Sequence, residues 1–449
     1  MMKKRKDGNG VAKKKMAWWK ILLIVLLVIL VLFCGMVGFS VFMIKKFTGD
    51  SLSIRGMMAM AGYGGFDLPD WYCRLVLGNS HEYPGLPEIL TDRTGKAVET
   101  EEDYEKRRLE LLEAYEKNMY GKTPAEGFET SFEVVESGDA LDGKAMRQQV
   151  KITVTTEKGS CDAMLLLYLP KSDDPRGVFV GENFGGNTMI WTDGEILPSV
   201  TQENAEHASA DSADLWPVED IVGRGYGVAT MCYLDWGADD KDTYRERLLC
   251  LFDDEDTTAF SAWAFGISRA VDYLSTLDGV DMENIASVGH SRLARVSLWA
   301  GACDERISLV TASCGGGSVR SEVSGRIMDD GNSSHWFSKT YFTYENRDEE
   351  FPVDMNVLYA LAAPRRLYVS MGSGDLAADP FSMVDMLQDA KKVWKDVYGM
   401  EVIDDFSYYD LVRGEAVMSE GVGLHVHQGG HKMDAGDWEK YVDYMDDKK

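Results

Sequence analysis

IASVGHSRLARVSLWAGA, residues 285–302, decides how the fold is read. Ile285–Val288 is a short apolar run of strand length, and the residues from Arg292 onward favour a helix. Gly289, His290 and Ser291 stand between them. A serine on a tight turn from a buried strand into a helix is lifted to the strand's C-terminal edge. There the helix N-terminus lies beneath it and backbone N–H groups can hold an oxyanion. The pattern G-x-S-x-G is incomplete, because Leu293 stands where the second glycine belongs. On these residues alone a nucleophile and a helix-capping serine carry equal weight.

Further apolar runs lie on both sides of the turn: AMLLLYLP (163–170), GVFVG (177–181), YGVATMCY (226–233), LVTAS (309–313) and RRLYVSMG (365–372). Helical patterns separate several of them, such as Trp263, Ile267, Ala270, Val271 and Leu274. Buried strands alternating with helices predict a mostly parallel sheet covered on both faces. Val150, Ile152 and Val154 alternate with polar residues, as in a half-exposed antiparallel strand, so the sheet is mixed. The fold class expected is therefore α/β, the three-layer sandwich of the α/β-hydrolases. A helix is expected over 101–119, with Thr100 as its cap, Asp103 three residues on, and Tyr104, Leu111, Leu112, Tyr115 and Met119 as its apolar face. Gly121 and Pro124 follow its end.

The chain order supplies partners for Ser291. Asp375 lies just past the run 365–372, and His431 lies in QGGHKMDAGDW near the C-terminus. Ser, Asp, His is the order in α/β-hydrolases. A serine hydroxyl needs a base, an imidazole serves near neutral pH, and a carboxylate fixes the imidazole's tautomer. Asp379 competes for the carboxylate role, although Asp379-Pro380 also reads as a helix start. His425 and His427 alternate onto one face of a strand without a third ligand and read as structural. His290 is expected to point away from the serine's face and pack. No metal or other cofactor is called for.

The 449 residues carry a formal net charge of −27. The first 46 hold ten Lys/Arg and one Asp, so the rest is more acidic still. An acidic body excludes nucleic acid as a partner, since phosphate binding needs clustered cations. Ile21–Ile44 runs 24 residues without a charge, enough to span a bilayer core of about 30 Å. Trp18 and Trp19 sit at its border, and most basic residues precede it. The positive-inside rule then places the N-terminus in the cytoplasm and the body outside. The expected organisation is a basic cytoplasmic segment (1–20), a transmembrane helix (21–44), an extracellular tether (45–83) and a catalytic domain (84–449). A cleaved signal peptide and a secreted enzyme are the alternative. The seven cysteines show no zinc spacing. Cys303 and Cys314 flank one strand and are candidates for pairing, with buried thiols as the other reading.

AWAFGISRAVDYL (262–274), SVGHSRLARVSLWAGACDERI (287–307), HWF (335–337), FPVDMNVLYALAAPRRLYVSMGSGDLAADP (351–380) and GGHKMDAGDWEKYVDYM (429–445) resemble bacterial members of the glucuronoyl esterase family. So do EKRRLELLEAYEKNMYGKTP (105–124), ENFGGN (182–187) and GRGYGVAT (223–230). The resemblance runs from about residue 84 to the end. It implies an α/β-hydrolase that cleaves esters between 4-O-methyl-glucuronic acid on xylan and lignin alcohols. It makes Ser291 the nucleophile, His431 the base and Arg292 an oxyanion stabiliser. It also implies substrate contacts for Arg295, which stands where the family often has lysine, and for Glu322 and Trp336. Some members carry their acid where this chain has Cys314, and a thiol cannot replace that carboxylate, which leaves the later Asp375. Two alternatives stay open: an acetyl xylan esterase or other polysaccharide carboxylesterase, and a non-catalytic surface binding protein.

Overall fold

The computed structural model describes residues 58–59, 68–78, 81–172, 177–202, 216–321, 323 and 333–447. The expected membrane segment 21–44 lies outside these residues. Among the described residues no helix is long and apolar enough to cross a membrane.

Among the described residues, ten strands form one sheet. They are β1 (Glu129–Ala140), β2 (Ala145–Thr156), β3 (Gly159–Pro170), β4 (Val178–Asn183), β5 (Gly227–Cys232), β6 (Ile285–Val288), β7 (Leu309–Ser313), β8 (Arg366–Gly372), β9 (Ala416–Met418) and β10 (Val422–His427). Their spatial order is β1-β2-β3-β5-β4-β6-β7-β8-β10-β9. β1 to β3 form an antiparallel meander that joins β5 antiparallel. From β5 through β4, β6, β7 and β8 to β10 every pairing is parallel, and β9 closes the far edge antiparallel. The sheet is mostly parallel and mixed, as the alternation of apolar runs and helical patterns predicts. The short strands β4 to β7 are buried along their whole length, because helices cover both faces.

Helix α1 (Asp70–Leu77) precedes the sheet, and α2 (Glu101–Tyr115) follows with Thr100 as its cap: the Thr100 hydroxyl accepts from the Asp103 N–H. A single π-helical turn carries α2 on to Tyr120 before Gly121 ends it. α3 (Ala259–Leu274) and α4 (Arg292–Cys303) pack on one face through Trp263, Ile267 and Trp299. α5 (Pro380–Ala390) adds to that layer, while α6 (Ala435–Asp446) covers the other face with Trp438 and Tyr441 against Phe179 and Tyr368.

One expectation needs correction, and one open alternative is decided. The tether does not run unpacked to residue 83: α1 lies within it and buries Cys73, Val76 and Leu77 in the main core. Its amphipathic spacing is hidden in sequence by the Gly- and Met-rich stretch before it. Cys303 and Cys314 are not joined. Cys303 lies against the Thr123 hydroxyl, and the Cys314 thiol faces the Lys432 carbonyl.

The turn at 289–291 follows from steric demand. A Cβ on Gly289 would lie 2.0 Å from the Leu293 carbonyl oxygen, so only glycine allows the first helical turn to approach the strand end. Ser291 takes φ 60° and ψ −129°, a conformation rare for a side-chain-bearing residue. The Ser291 N–H donates to the Ser313 carbonyl at 2.8 Å, and the Ser313 N–H donates to the Gly289 carbonyl at 2.9 Å. The turn is thereby sewn to the end of β7. Leu293 stands in the second glycine position because that place faces the core, where its side chain is buried.

Candidate active site

Ser291, Asp375 and His431 converge at the C-terminal edge of the parallel strands, from the turn after β6, the loop after β8 and the loop after β10. The His431 Nε2 lies 2.7 Å from the Ser291 Oγ, and its Nδ1 lies 2.7 Å from the Asp375 Oδ2. An ionised carboxylate only accepts, so Nδ1 carries the proton and Nε2 is left to accept from the serine hydroxyl. Asp375 is fully buried. Its other oxygen, Oδ1, is buried without a hydrogen-bond partner. Cys314 stands beside this pair, with its Sγ among the ligand atoms of Asp375 and His431 within 4.8 Å of one another. Burial pushes its thiol well above the ordinary range, and the nearby Asp375 adds to that.

Asp379 does not reach this constellation. It caps α5, where its Oδ1 accepts from the Ser382 N–H at 3.0 Å and its Oδ2 accepts from the Ser321 hydroxyl. The Asp-Pro helix start is the reading the geometry favours. His290 departs from expectation. It packs, but on His431 itself, with ring centroids 4.7 Å apart. Its backbone bridges to Ser313, and its Nδ1 lies 3.4 Å from the Ser313 hydroxyl. Burial, reinforced by the adjacent His431, pushes the His290 imidazole down to about 3, so it stays neutral.

The cleft over Ser291 has a volume of about 300 Å³ and is walled by Arg292, Arg295, Trp336, Phe260 and Gly316. The Arg292 guanidinium lies over the Trp336 ring at 4.9 Å and over Phe184 at 5.7 Å. Its Nη1 donates to Asp239, while its Nε is buried with no acceptor. The Arg295 Nε donates to the Gly315 carbonyl at 2.7 Å. Its guanidinium passes over Gly316, where a Cβ would lie 2.4 Å from Nη2. Trp336 stacks on Phe260 with centroids 5.4 Å apart. Glu322 lies outside the described residues. A larger depression of about 680 Å³, bordered by Lys144, Glu219, Arg224 and Trp438, is lined by no serine, cysteine or histidine.

Asp239 and His335 were not singled out from sequence. Asp239 sits in the loop stretch WGADD, which matches no motif, and only its position in space gives it weight.

Behind His431, Asp437 on α6 receives His425 Nε2 and His427 Nδ1 at 2.8 Å each. The His425 Nδ1 meets the Tyr368 hydroxyl at 3.1 Å, and the His427 Nε2 meets the Gly430 carbonyl at 3.2 Å, next to His431. His427 faces acceptors on both ring nitrogens, so it is satisfied only as an imidazolium. Burial alone would lower its pKa, but the bonds to Asp437 and to Gly430 raise it. Burial likewise acts against the Asp437 charge, and the two imidazoles overcome it, holding that carboxyl well below the usual range. The His-x-His pair is thus a hydrogen-bonded support for the loop that carries His431.

A family model described as "Glucuronyl esterase, fungi" matches residues 222–398. A carbohydrate esterase from an unknown prokaryotic organism is 32% identical over 386 residues, covering 80% of this chain and 88% of that protein. The solved glucuronoyl esterase of Solibacter usitatus superposes with a TM-score of 0.74 at 31% identity, over 82% of this chain and 98% of that one. A 4-O-methyl-glucuronoyl methylesterase of Cerrena unicolor is 23% identical over 343 residues, covering 72% of this chain and 64% of that protein.

The depressed Asp437 carboxyl sets a pH dependence. Its stabilisation is present above the unfolded carboxylate range, near pH 4, and is lost as pH falls through the folded value. Asp437→Ala should cost about 3–5 kcal/mol at neutral pH, the usual penalty for breaking a buried pair. It should also flatten the loss of stability on acidification below about pH 4. Urea unfolding across pH checks both, and a neutral-pH loss under about 1 kcal/mol would contradict the assigned support.

Proposed function

The chain belongs to the glucuronoyl esterase family, and we propose that it hydrolyses esters of 4-O-methyl-glucuronic acid through Ser291, His431 and Asp375. The observation that carries this reading is the unbroken run of 2.7 Å contacts from Ser291 through His431 to Asp375, opening on a cleft with two arginines and a tryptophan.

In this mechanism the Ser291 Oγ attacks the ester carbonyl carbon as His431 Nε2 takes its proton. Asp375 keeps the imidazole in the needed tautomer and stabilises the imidazolium. The carbonyl oxygen becomes an oxyanion. The Arg292 guanidinium, in the wall of the cleft beside Ser291, is a charged donor for it. The Arg292 backbone N–H, first after the nucleophile, is a second donor. His431 returns the proton to the departing alcohol. Water, deprotonated by the same imidazole, then cleaves the glucuronoyl-serine ester to free uronic acid and Ser291. Arg295, Trp336 and Glu322 are the proposed contacts to the sugar.

The placement outside the cell belongs to the same proposal. It rests on the uncharged stretch 21–44, the tryptophans at its border and the basic residues before it. The full-length protein should stay with the membrane fraction through a high-salt wash. Recovery in the soluble fraction would favour a cleaved leader.

The substrate reading is tested on benzyl glucuronate beside acetylated xylan. The uronate ester should be turned over with the higher kcat/KM, and Ser291→Ala should abolish this in a folded protein. Preference for the acetyl ester would move the assignment to a polysaccharide acetyl esterase. Asp375→Asn should lower kcat by about 10³–10⁴-fold through the wrong imidazole tautomer. Asp379→Asn should act on stability through the α5 cap, by about 1 kcal/mol. The reverse pattern of kcat losses would exchange their roles.

A further inference from the structure

Asp239 lies between β5 and α3, outside the serine, imidazole and carboxylate run, yet it ties together the two cleft residues assigned to oxyanion and sugar. Its Oδ1 accepts from the Trp336 Nε1 at 2.7 Å and from the His335 Nε2 at 2.8 Å. Its Oδ2 accepts from the Tyr233 hydroxyl at 3.1 Å and from the Arg292 Nη1. Four donors thus converge on two oxygens from three separate parts of the chain. A carboxylate has about four acceptor sites, so Asp239 has none left for a substrate.

We propose that Asp239 is a positioning residue that sets the Arg292 guanidinium and the Trp336 indole as one rigid unit. This rests on the oxyanion role given to Arg292 above.

The argument turns on two opposed effects. Pairing with a carboxylate weakens the field that Arg292 exerts on a developing oxyanion. It also removes the freedom of a long side chain with many rotamers. With Nη1 tied to Asp239 and its central carbon over the Trp336 and Phe184 rings, the guanidinium is held from three sides. Misplacing a reacting group by about 1 Å costs about 100-fold in rate, so orientation outweighs the lost field. The anchor also stays charged at any working pH. Burial opposes its ionisation, but the bonds from His335, Trp336 and Arg292 hold its carboxyl down at about 2.

The coupling extends to the sugar side. Trp336 is held at its nitrogen by Asp239 and at its face by Phe260. A shift of Asp239 therefore moves the wall of the cleft and the Arg292 donor together. A residue that only supported the fold would not link these two functions.

The test is a mutant cycle in the full-length protein, with Asp239→Asn, Arg292→Ala and the double variant. Each is assayed on benzyl glucuronate and on 4-nitrophenyl acetate, which has no sugar. Asp239→Asn should lower kcat about 10- to 100-fold on both esters. KM should rise for the uronate ester alone, because only that ester uses Trp336. The double variant should fall no more than about 3-fold below Arg292→Ala, since Asp239 acts through it. If Asp239→Asn fails to fold, Asp239→Glu, which keeps the charge but displaces it by one methylene, carries the same cycle and the same non-additivity. A kcat for Asp239→Asn at or above wild type overturns the proposal, as does a double variant whose losses multiply. Arg292→Ala with wild-type kcat removes the oxyanion assignment itself. An impaired Arg292→Ala with multiplying losses removes only the coupling.

Discussion

Two backbone hydrogen bonds between the 289–291 turn and Ser313 are the constraint on which the site depends. They hold Ser291 at a positive φ that an unconstrained serine would avoid, and they keep its hydroxyl at the sheet edge. The same pairing fixes where β7 ends and therefore where Cys314 and Gly315 begin. The Cys314 N–H in turn donates to the Ser370 carbonyl of β8 at 2.8 Å, which carries the alignment on to the strand that delivers Asp375. The distances around His431 are thus outcomes of strand register, and strained geometry at one residue is offset by packing across several strands.

Charge placement follows the same economy of position. Exposed pairs such as Lys106 with Glu102 are screened by solvent and leave the acidic surface solvated. The carboxylates in and behind the cleft behave differently. Asp239 accepts from four fixed donors and Asp437 from two imidazoles, while Asp375 meets His431. Each holds a residue in place: an arginine with a tryptophan, the His431 imidazole, and the loop beneath it. In a desolvated site such fixed dipoles and charges need no rearrangement when an oxyanion develops.

Much of this was legible in the sequence, for identifiable reasons. Apolar runs of strand length between helical patterns predicted the parallel sheet, because strands buried on both faces must be apolar throughout. Ser291, Asp375 and His431 were legible from chain order and from their places just beyond strand ends. The choice between Asp375 and Asp379 was not, since four residues of one loop differ only in where the chain turns. The capping of α5 by Asp379 separates them in space. Asp239 matches no motif, and its weight comes from contacts of which three, Arg292, His335 and Trp336, are distant in sequence. α1 escaped notice because its buried Cys73, Val76 and Leu77 make too short a pattern next to a glycine-rich stretch. His290 reads as a packing residue that points away from the serine's face; it packs, but the turn leaves strand geometry and its ring meets His431.

The central claim is that Ser291 is an activated nucleophile, and covalent labelling tests it most directly. Treatment of the full-length protein with a fluorophosphonate probe, followed by peptide mass mapping, should find one adduct per chain on Ser291. Ester turnover should fall in proportion to labelling, and His431→Ala should label far more slowly. Absence of an adduct, an adduct on another residue, or undiminished turnover by fully labelled protein would contradict the account.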